Sequence, residues 1–412
     1  MTAAAPRLLK TLPAVYAAAA VRLLLPVLIL PLMATRLGAE EFGRLSFVLV
    51  WASLLSMIVE GGFLAAATRL AVTADAARRW QIARQVFSAR WLLCVPAVLL
   101  AIVAVQLAGP EGHKGVDTLA IAALACALGW PATWYLQATQ QLARWARVEL
   151  AVYALLIGLS WAFADCVQTY VLLQLTASAL LAWWGWRWVR RDLSGASQGL
   201  WSLPAVAPGL RLGWTMMPVS IAGAAYSFAL PAAASLQMSK ADLGTYFMAD
   251  RLVRAVLNAA EPVFAVVYPR IVTLFQQGAR AALRYAAAWS VGGVAVGLAL
   301  LAAGVLGWQL IEPLVLLRAG NVDLAALRAT MLVLGLLLPL LLGWKFIGYW
   351  MLGSGRFDHA YRACVVVGGV AGTLAAATWG GAAGPVGLAW VAIGVELLVI
   401  AVAVGGMLLT RR

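Results

Sequence analysis

Apolar runs long enough to cross a bilayer recur from one end of this sequence to the other, and no other feature restricts its fold so severely. A run of about 18 or more apolar residues reads as a transmembrane helix. Twelve such spans are expected, at 12–33, 45–67, 86–108, 117–138, 146–164, 167–188, 209–236, 243–268, 284–307, 324–352, 359–379 and 384–408. The first follows Arg7 and Lys10 as a signal peptide would. Arg22 follows, however, and the apolar stretch resumes to Met33, so it is read as a retained span. Composition agrees: 64% of residues are hydrophobic and 11% charged, whereas soluble domains carry about 25% charge. The expected fold is an all-α polytopic membrane protein.

The net charge of +14 invites a nucleic-acid reading until its distribution is considered. Assigned to alternate loops, twenty Lys and Arg residues (Arg90 among them) fall on one side. Five, namely Arg36, Arg44, Lys114, Lys240 and Arg318, fall on the other. That asymmetry is the positive-inside pattern: it places both termini in the cytoplasm, requires an even number of spans and leaves no role for nucleic acid. Four cysteines show no paired framework, and the two histidines, His113 and His359, lie in loops on opposite sides, so no metal site is expected.

The two halves resemble each other at an offset of 201 positions. Glu41 then falls on Asp242, Gly43 on Gly244, Glu60 on Glu261, Phe63 on Phe264 and Arg69 on Arg270. A duplication of six spans gives parallel repeats, which place a transport site between the halves. The expected organisation is an N-terminal six-helix lobe at 1–191, a cytoplasmic linker at 192–208 and a C-terminal six-helix lobe at 209–412.

Two stretches carry a family resemblance. "LGAEEFGRLSF" at 37–47 with "EGGFLAAATR" at 60–69, and "ADLGTYFMADRLVRAVLNAAEPVFAVVYPRI" at 241–271, resemble the first loop, second span and eighth span of Wzx-type polysaccharide flippases. These belong to the MOP exporter superfamily. The resemblance implies a MATE-like fold of two lobes around a cavity that opens alternately to each side. It further implies a cargo of undecaprenyl-diphosphate-linked oligosaccharide, as in O-antigen, capsule or exopolysaccharide assembly. The bacterial cytoplasmic (inner) membrane follows as the location, with polymerase and chain-length regulator proteins as partners beside the membrane lipids.

Within the spans, polar residues are costly and mark function. Arg251, Arg254, Asn258 and Glu261 advance by three, four and three positions and so form one helical stripe, with Asp250 beside it. Together with Arg22 and Lys345, the residues Arg254, Arg251 and Asn258 are the expected substrate-binding set, because guanidinium forks and ammonium groups bind phosphate oxygens. The structural alternatives are an Asp250–Arg254 helix pair, snorkelling of Arg251 and Lys345, and a bridge from Arg22 to Glu60. Glu60, Glu261 and Asp250 are the ion-coupling candidates for H⁺ or Na⁺, against a bracing role beside Arg69 and Arg270. Glu149 and Glu396 read as packing residues. Pro26 and Pro231 are the expected hinges, since Pro13, Pro26, Pro31, Pro218 and Pro231 interrupt the helical ladder of the first and seventh spans.

Other signals are weaker. "GASQG" at 195–199 fits a nucleophile elbow only by pattern. Gly293/Gly297 and "GGVAGT" at 368–373 read as close helix packing. Trp130, Trp134 and Trp344 are core residues or sugar-stacking platforms, while Trp91 and Trp186 fit an interfacial belt. No cofactor and no enzyme activity are expected. The alternatives kept open are a multidrug antiporter or lipid II flippase of the same superfamily, and a membrane-embedded glycan polymerase or ligase.

Overall fold

A computed structural model describes residues 5–139, 141–193, 199–214, 216–217, 228–260, 263–264, 267, 270–271, 274–275, 278–309, 323–354, 358–380 and 384–409. It does so without the side chains of 5–28, 65, 73, 143, 352–354, 358–362, 365 and 409. Among these residues the secondary structure is helical throughout, with no strand. The protein is an all-α polytopic membrane protein. Among the described residues, seven helical segments are long and apolar enough to cross a bilayer.

Packing divides the chain into two units, residues 1–25 with 47–228 and residues 26–46 with 229–412. The first helix, α1 (Ala5–Glu60), contributes to both. Its backbone keeps helical dihedrals through Pro13, Pro26 and Pro31 and leaves them at Gly38 (φ 75°, ψ 171°). The interruption expected at the prolines therefore falls on a glycine, which enters the positive-φ region without a Cβ penalty. The Pro26 side chain lies outside the described residues, as does that of Arg22.

The first unit continues with α2 (Phe63–Thr73), α3 (Ala76–Ala108), α4 (Lys114–Gly129), α5 (Thr133–Ala138), α6 (Leu142–Phe163), α7 (Val167–Asp192) and α8 (Leu203–Trp214). Two spans expected to be continuous are broken. The 45–67 span turns at Gly61 (φ 63°) and Gly62 (φ 75°), and the 117–138 span opens at Trp130, Pro131 and Ala132. Each break frees backbone polar groups that water cannot reach in hydrocarbon. At the first, the Glu60 carboxylate accepts from the Gly62 and Leu64 amides. At the second, Arg90 Nη1 donates to the Trp130 carbonyl (2.6 Å) and the Pro131 carbonyl (3.0 Å), and Trp186 Nε1 also donates to Trp130 (3.0 Å). The α2–α3 turn is closed in the same way: Asp75 caps α3 through the Arg78 amide, and Arg79 Nε donates to the Ala71 carbonyl (2.9 Å).

In the second unit the order is α9 (Leu230–Ala234), α10 (Lys240–Asn258), α11 (Ala279–Leu306), α12 (Leu324–Gly335), α13 (Leu337–Ser354), α14 (Asp358–Trp379) and α15 (Gly384–Leu409). Pro231 stands in the first turn of α9 and is buried. There its missing N–H costs nothing and its fixed φ suits the helix. Residues 228 and 229, just before α9, are helical as well. Ser239 caps α10, accepting from the Asp242 amide and donating to its carboxylate (2.7 Å).

Small residues let backbones meet. A Cβ on Gly293 would fall 2.3 Å from the Leu342 carbonyl and one on Gly297 2.4 Å from Pro339 Cα, so α11 lies directly on α13. Gly368 and Gly372 receive Val399 and Val395 in the α14–α15 contact. The tightest approach joins Gly43 on α1 to the Lys240 backbone at the start of α10, and Gly244 packs on Gly43 in turn. Two glycines related by the 201-residue repeat thus touch.

Replacing Gly43 by Ala forces backbone apart and is expected to destabilise the protein by about 1–3 kcal/mol, as overpacking does. Gly304→Ala, where a Cβ meets nothing within 4 Å, is expected to be neutral or to stabilise by about 0.5–1 kcal/mol. Thermal unfolding of the two variants in one detergent compares them.

Candidate functional site

The charged stripe of α10 begins with a buried acid. Asp250 is 4% exposed, and its Oδ1 accepts from Arg254 Nε at 2.8 Å. The pair spans one helical turn, the i,i+4 spacing at which side chains of a helix meet. A bare carboxylate at this depth would be very costly, and a guanidinium offsets that cost only with good geometry. Arg254 is thus committed first to a local partner, with 22% of its side chain still accessible. Arg251 sets its guanidinium 4.9 Å from the Phe247 ring centroid. Asn258 is exposed at the last position of the helix. Glu261 lies outside the described residues.

Lys345, on α13, places Nζ 4.3 Å from the centre of Phe264. That ring packs on Phe346 at 4.9 Å and Tyr349 at 6.1 Å, and Phe346 meets Trp289 of α11 at 5.7 Å. The ammonium therefore has an aromatic nest, a setting that stabilises a cation through ring quadrupoles. α10 packs against both α12 and α13, so the Asp250–Arg254 pair and Lys345 belong to adjoining helices of one unit.

A counterpart exists in the first unit. Phe63, the repeat mate of Phe264, carries the Arg90 guanidinium 5.6 Å from its ring centre. Arg90 was counted above with the loop cations, yet it is only 1% exposed within α3 and carries the bonds to Trp130 and Pro131. The Glu60 carboxylate acts favourably on it. Sequence reasoning missed this residue because it stands near the start of an apolar run, where a snorkelling arginine looks the same. The signal was Pro131, which announces a broken helix needing a donor. Arg44, assigned to the opposite loops, is likewise buried and bonds Glu41 at 3.1 Å.

Glu60 uses both carboxylate oxygens as a helix cap, which is the bracing role, achieved without Arg69. Trp134 is fully buried, and Trp130 sits edge-on to Phe87 and Trp91, so both serve packing. No group of three or more metal-ligating side chains occurs among the described residues.

Against known families, residues 14–275 match the one described as "Polysaccharide biosynthesis protein". The chain belongs to that family. The matched region contains every stretch that carried the resemblance, from 37–47 to 241–271. No curated protein matches the sequence.

Three solved structures share its fold. An inward-facing multidrug resistance MATE transporter of the MOP superfamily superposes with a TM-score of 0.66 at 15% identity, over 94% of each chain. The lipid II flippase MurJ, in an inward closed conformation, gives 0.63 at 11%, over 97% of this chain and 87% of that one. A eukaryotic MATE transporter gives 0.57 at 16%, over 98% and 96%. The chain is thus a multi-pass membrane protein of the polysaccharide biosynthesis family with the fold these three structures share.

Asp250→Asn leaves Arg254 without its partner and is expected to lower stability by about 3–5 kcal/mol. Asp250→Asn with Arg254→Gln removes both charges and should recover much of that loss. Melting temperatures of the wild type, the single and the double variants in detergent measure the coupling.

Proposed function

We propose that the protein flips undecaprenyl-diphosphate-linked oligosaccharide from the inner to the outer leaflet of the bacterial cytoplasmic membrane by alternating access. The observation that carries the reading is membership of the polysaccharide biosynthesis family over residues 14–275. The cations of the second unit support it. Arg251 and Arg254 on α10 and Lys345 on α13 belong to adjoining helices of one unit, and cations within a helical bundle are a common mark of an anion site. A diphosphate offers oxygens to guanidinium forks and an ammonium alike. An arriving diphosphate competes with Asp250 for Arg254, so cargo binding and rearrangement of this ion pair are linked in this scheme. Arg22 joins the same set, Asn258 supplies a polar contact, and Pro26 acts as a hinge.

Coupling to an H⁺ or Na⁺ gradient completes the proposal, with Asp250 and Glu261 as the carboxylates to test. Both termini are cytoplasmic in this scheme, following the positive-inside pattern. A polymerase and a chain-length regulator act on the delivered glycan. The MurJ likeness supports lipid II as the second reading, in which the diphosphate lipid is kept and the sugar differs.

Proteoliposomes containing a fluorescent undecaprenyl-diphosphate saccharide test both. Protein-dependent movement of intact label between leaflets is expected. Lys345→Gln, and Arg254→Gln combined with Asp250→Asn, should slow it about tenfold or more, the loss for hydrogen bonds to a charged group. Faster movement of lipid II than of other glycans would select the second reading. Export of cationic drugs with no lipid movement would overturn both.

A further inference from the structure

The first unit contains a crevice of about 930 Å³ between α3, α4 and α7. Its size lies near the upper end of ligand cavities, about 300–1,000 Å³. One wall is aromatic. Phe87 meets Trp186 at 4.9 Å and Trp130 at 5.6 Å, while Trp91 meets Trp130 at 5.0 Å. Trp186 Nε1 is already bonded to the Trp130 carbonyl, so its indole offers the crevice an apolar ring rather than a donor. Trp91 and Trp183 at the rim are each 54% exposed. They continue into exposed apolar side chains of the same helices, Leu92 and Val95 on α3 and Leu180 on α7. That surface suits hydrocarbon and is wrong for a soluble ligand.

The polar character is confined to one end. Arg187, Arg190 and Arg191, in the last turns of α7, line the crevice there, and no carboxylate does. A second cavity of about 450 Å³ shares Arg187 and Arg191 and adds Arg144 and Arg147 of α6. Its one acid, Asp192, accepts from Gln141 Nε2 at 2.7 Å and from the Tyr135 hydroxyl at 3.3 Å. Among the described residues none of these arginines forms a salt bridge, and Arg187 lies 5.3 Å over the Trp183 ring at the rim. Aromatic sides with a cationic end match an amphiphile that is apolar along its length and anionic at one tip.

We propose that this crevice is a binding site for one anionic phospholipid, with its phosphate on Arg187, Arg190 and Arg191 and its acyl chains along the tryptophan wall. Basic pockets between membrane helices are known to hold anionic headgroups, and guanidinium forks fit a phosphodiester. The lipid is a resident of the surrounding membrane rather than the cargo, so the site stands whatever glycan the protein moves. A neighbouring protein's helix, the other candidate occupant, has no need of three arginines at a single end.

Native mass spectrometry of the full-length protein in detergent, titrated with phosphatidylglycerol, phosphatidylcholine or inorganic phosphate, tests the site. One phosphatidylglycerol is expected to bind in preference to phosphatidylcholine, and phosphate should neither bind nor displace it. Replacing the three exposed arginines by Gln should weaken binding about 100-fold, from the worth of each basic residue near an anionic surface. Ala123→Phe fills the crevice from α4 and leaves every arginine in place; it should abolish the bound lipid without lowering the melting temperature of the lipid-free protein. Equal binding of the two phospholipids, displacement by phosphate, or retention of phosphatidylglycerol in Ala123→Phe would overturn the proposal. The last result would mean that the arginines form a diffuse basic surface, not a site.

Discussion

Every backbone donor and acceptor in an apolar phase must find a partner within the protein, and this constraint organises the molecule. Where the helices run unbroken they satisfy it by themselves. Where they break, at Gly61–Gly62 and at Trp130–Ala132, a charged side chain completes the bonding: Glu60 at the first and Arg90 with Trp186 at the second. The interrupted helices of the first unit are thus held by side-chain bonds from Glu60, Arg90 and Trp186, and Phe63, Trp134 and Trp145 belong to the core packed beside them.

The second unit uses the same physics with different parts. Its α11–α13 contact depends on glycines that bring backbones together, with Ser290 Oγ donating to the Gly343 carbonyl at 2.8 Å. Its buried acid, Asp250, is neutralised within its own helix. A local pair of this kind keeps the charge without a rigid link to another helix. Under the proposed function, Arg254 exchanges this partner for the cargo's phosphate while α10 stays folded. The Phe63–Arg90 and Phe264–Lys345 contacts show how the internal repeat conserves a cation on an aromatic ring while changing which helix supplies it.

The candidate residues divide sharply in how they could be read. The α10 stripe was legible because helical periodicity is a local property: spacing alone puts Arg251 and Arg254 on one face and Asp250 one turn from Arg254. The proline hinges were less so. Proline restricts a helix but does not decide where the chain bends, and the bend in α1 falls at Gly38. Pro231 stands in the first turn of α9, which directly follows helical residues 228 and 229. Glu60 was an ion-coupling candidate with bracing as the alternative; in the structure its carboxylate accepts from the amides of Gly62 and Leu64 across a turn, partners that helical spacing does not reveal.

The sequence by itself determined the membrane-spanning helical class and the family, because bilayer thickness, helical period and the residue order of the matching stretches are all written along one dimension. Tertiary structure alone decided which charges are spent. Arg90, Arg44 and Asp250 are buried and bonded, whereas Arg187, Arg190 and Arg191 stand at an open crevice. The physical reason is that the cost of a charge depends on its neighbours in space, and residues 40 positions apart, such as Arg90 and Trp130, become neighbours only when the chain folds.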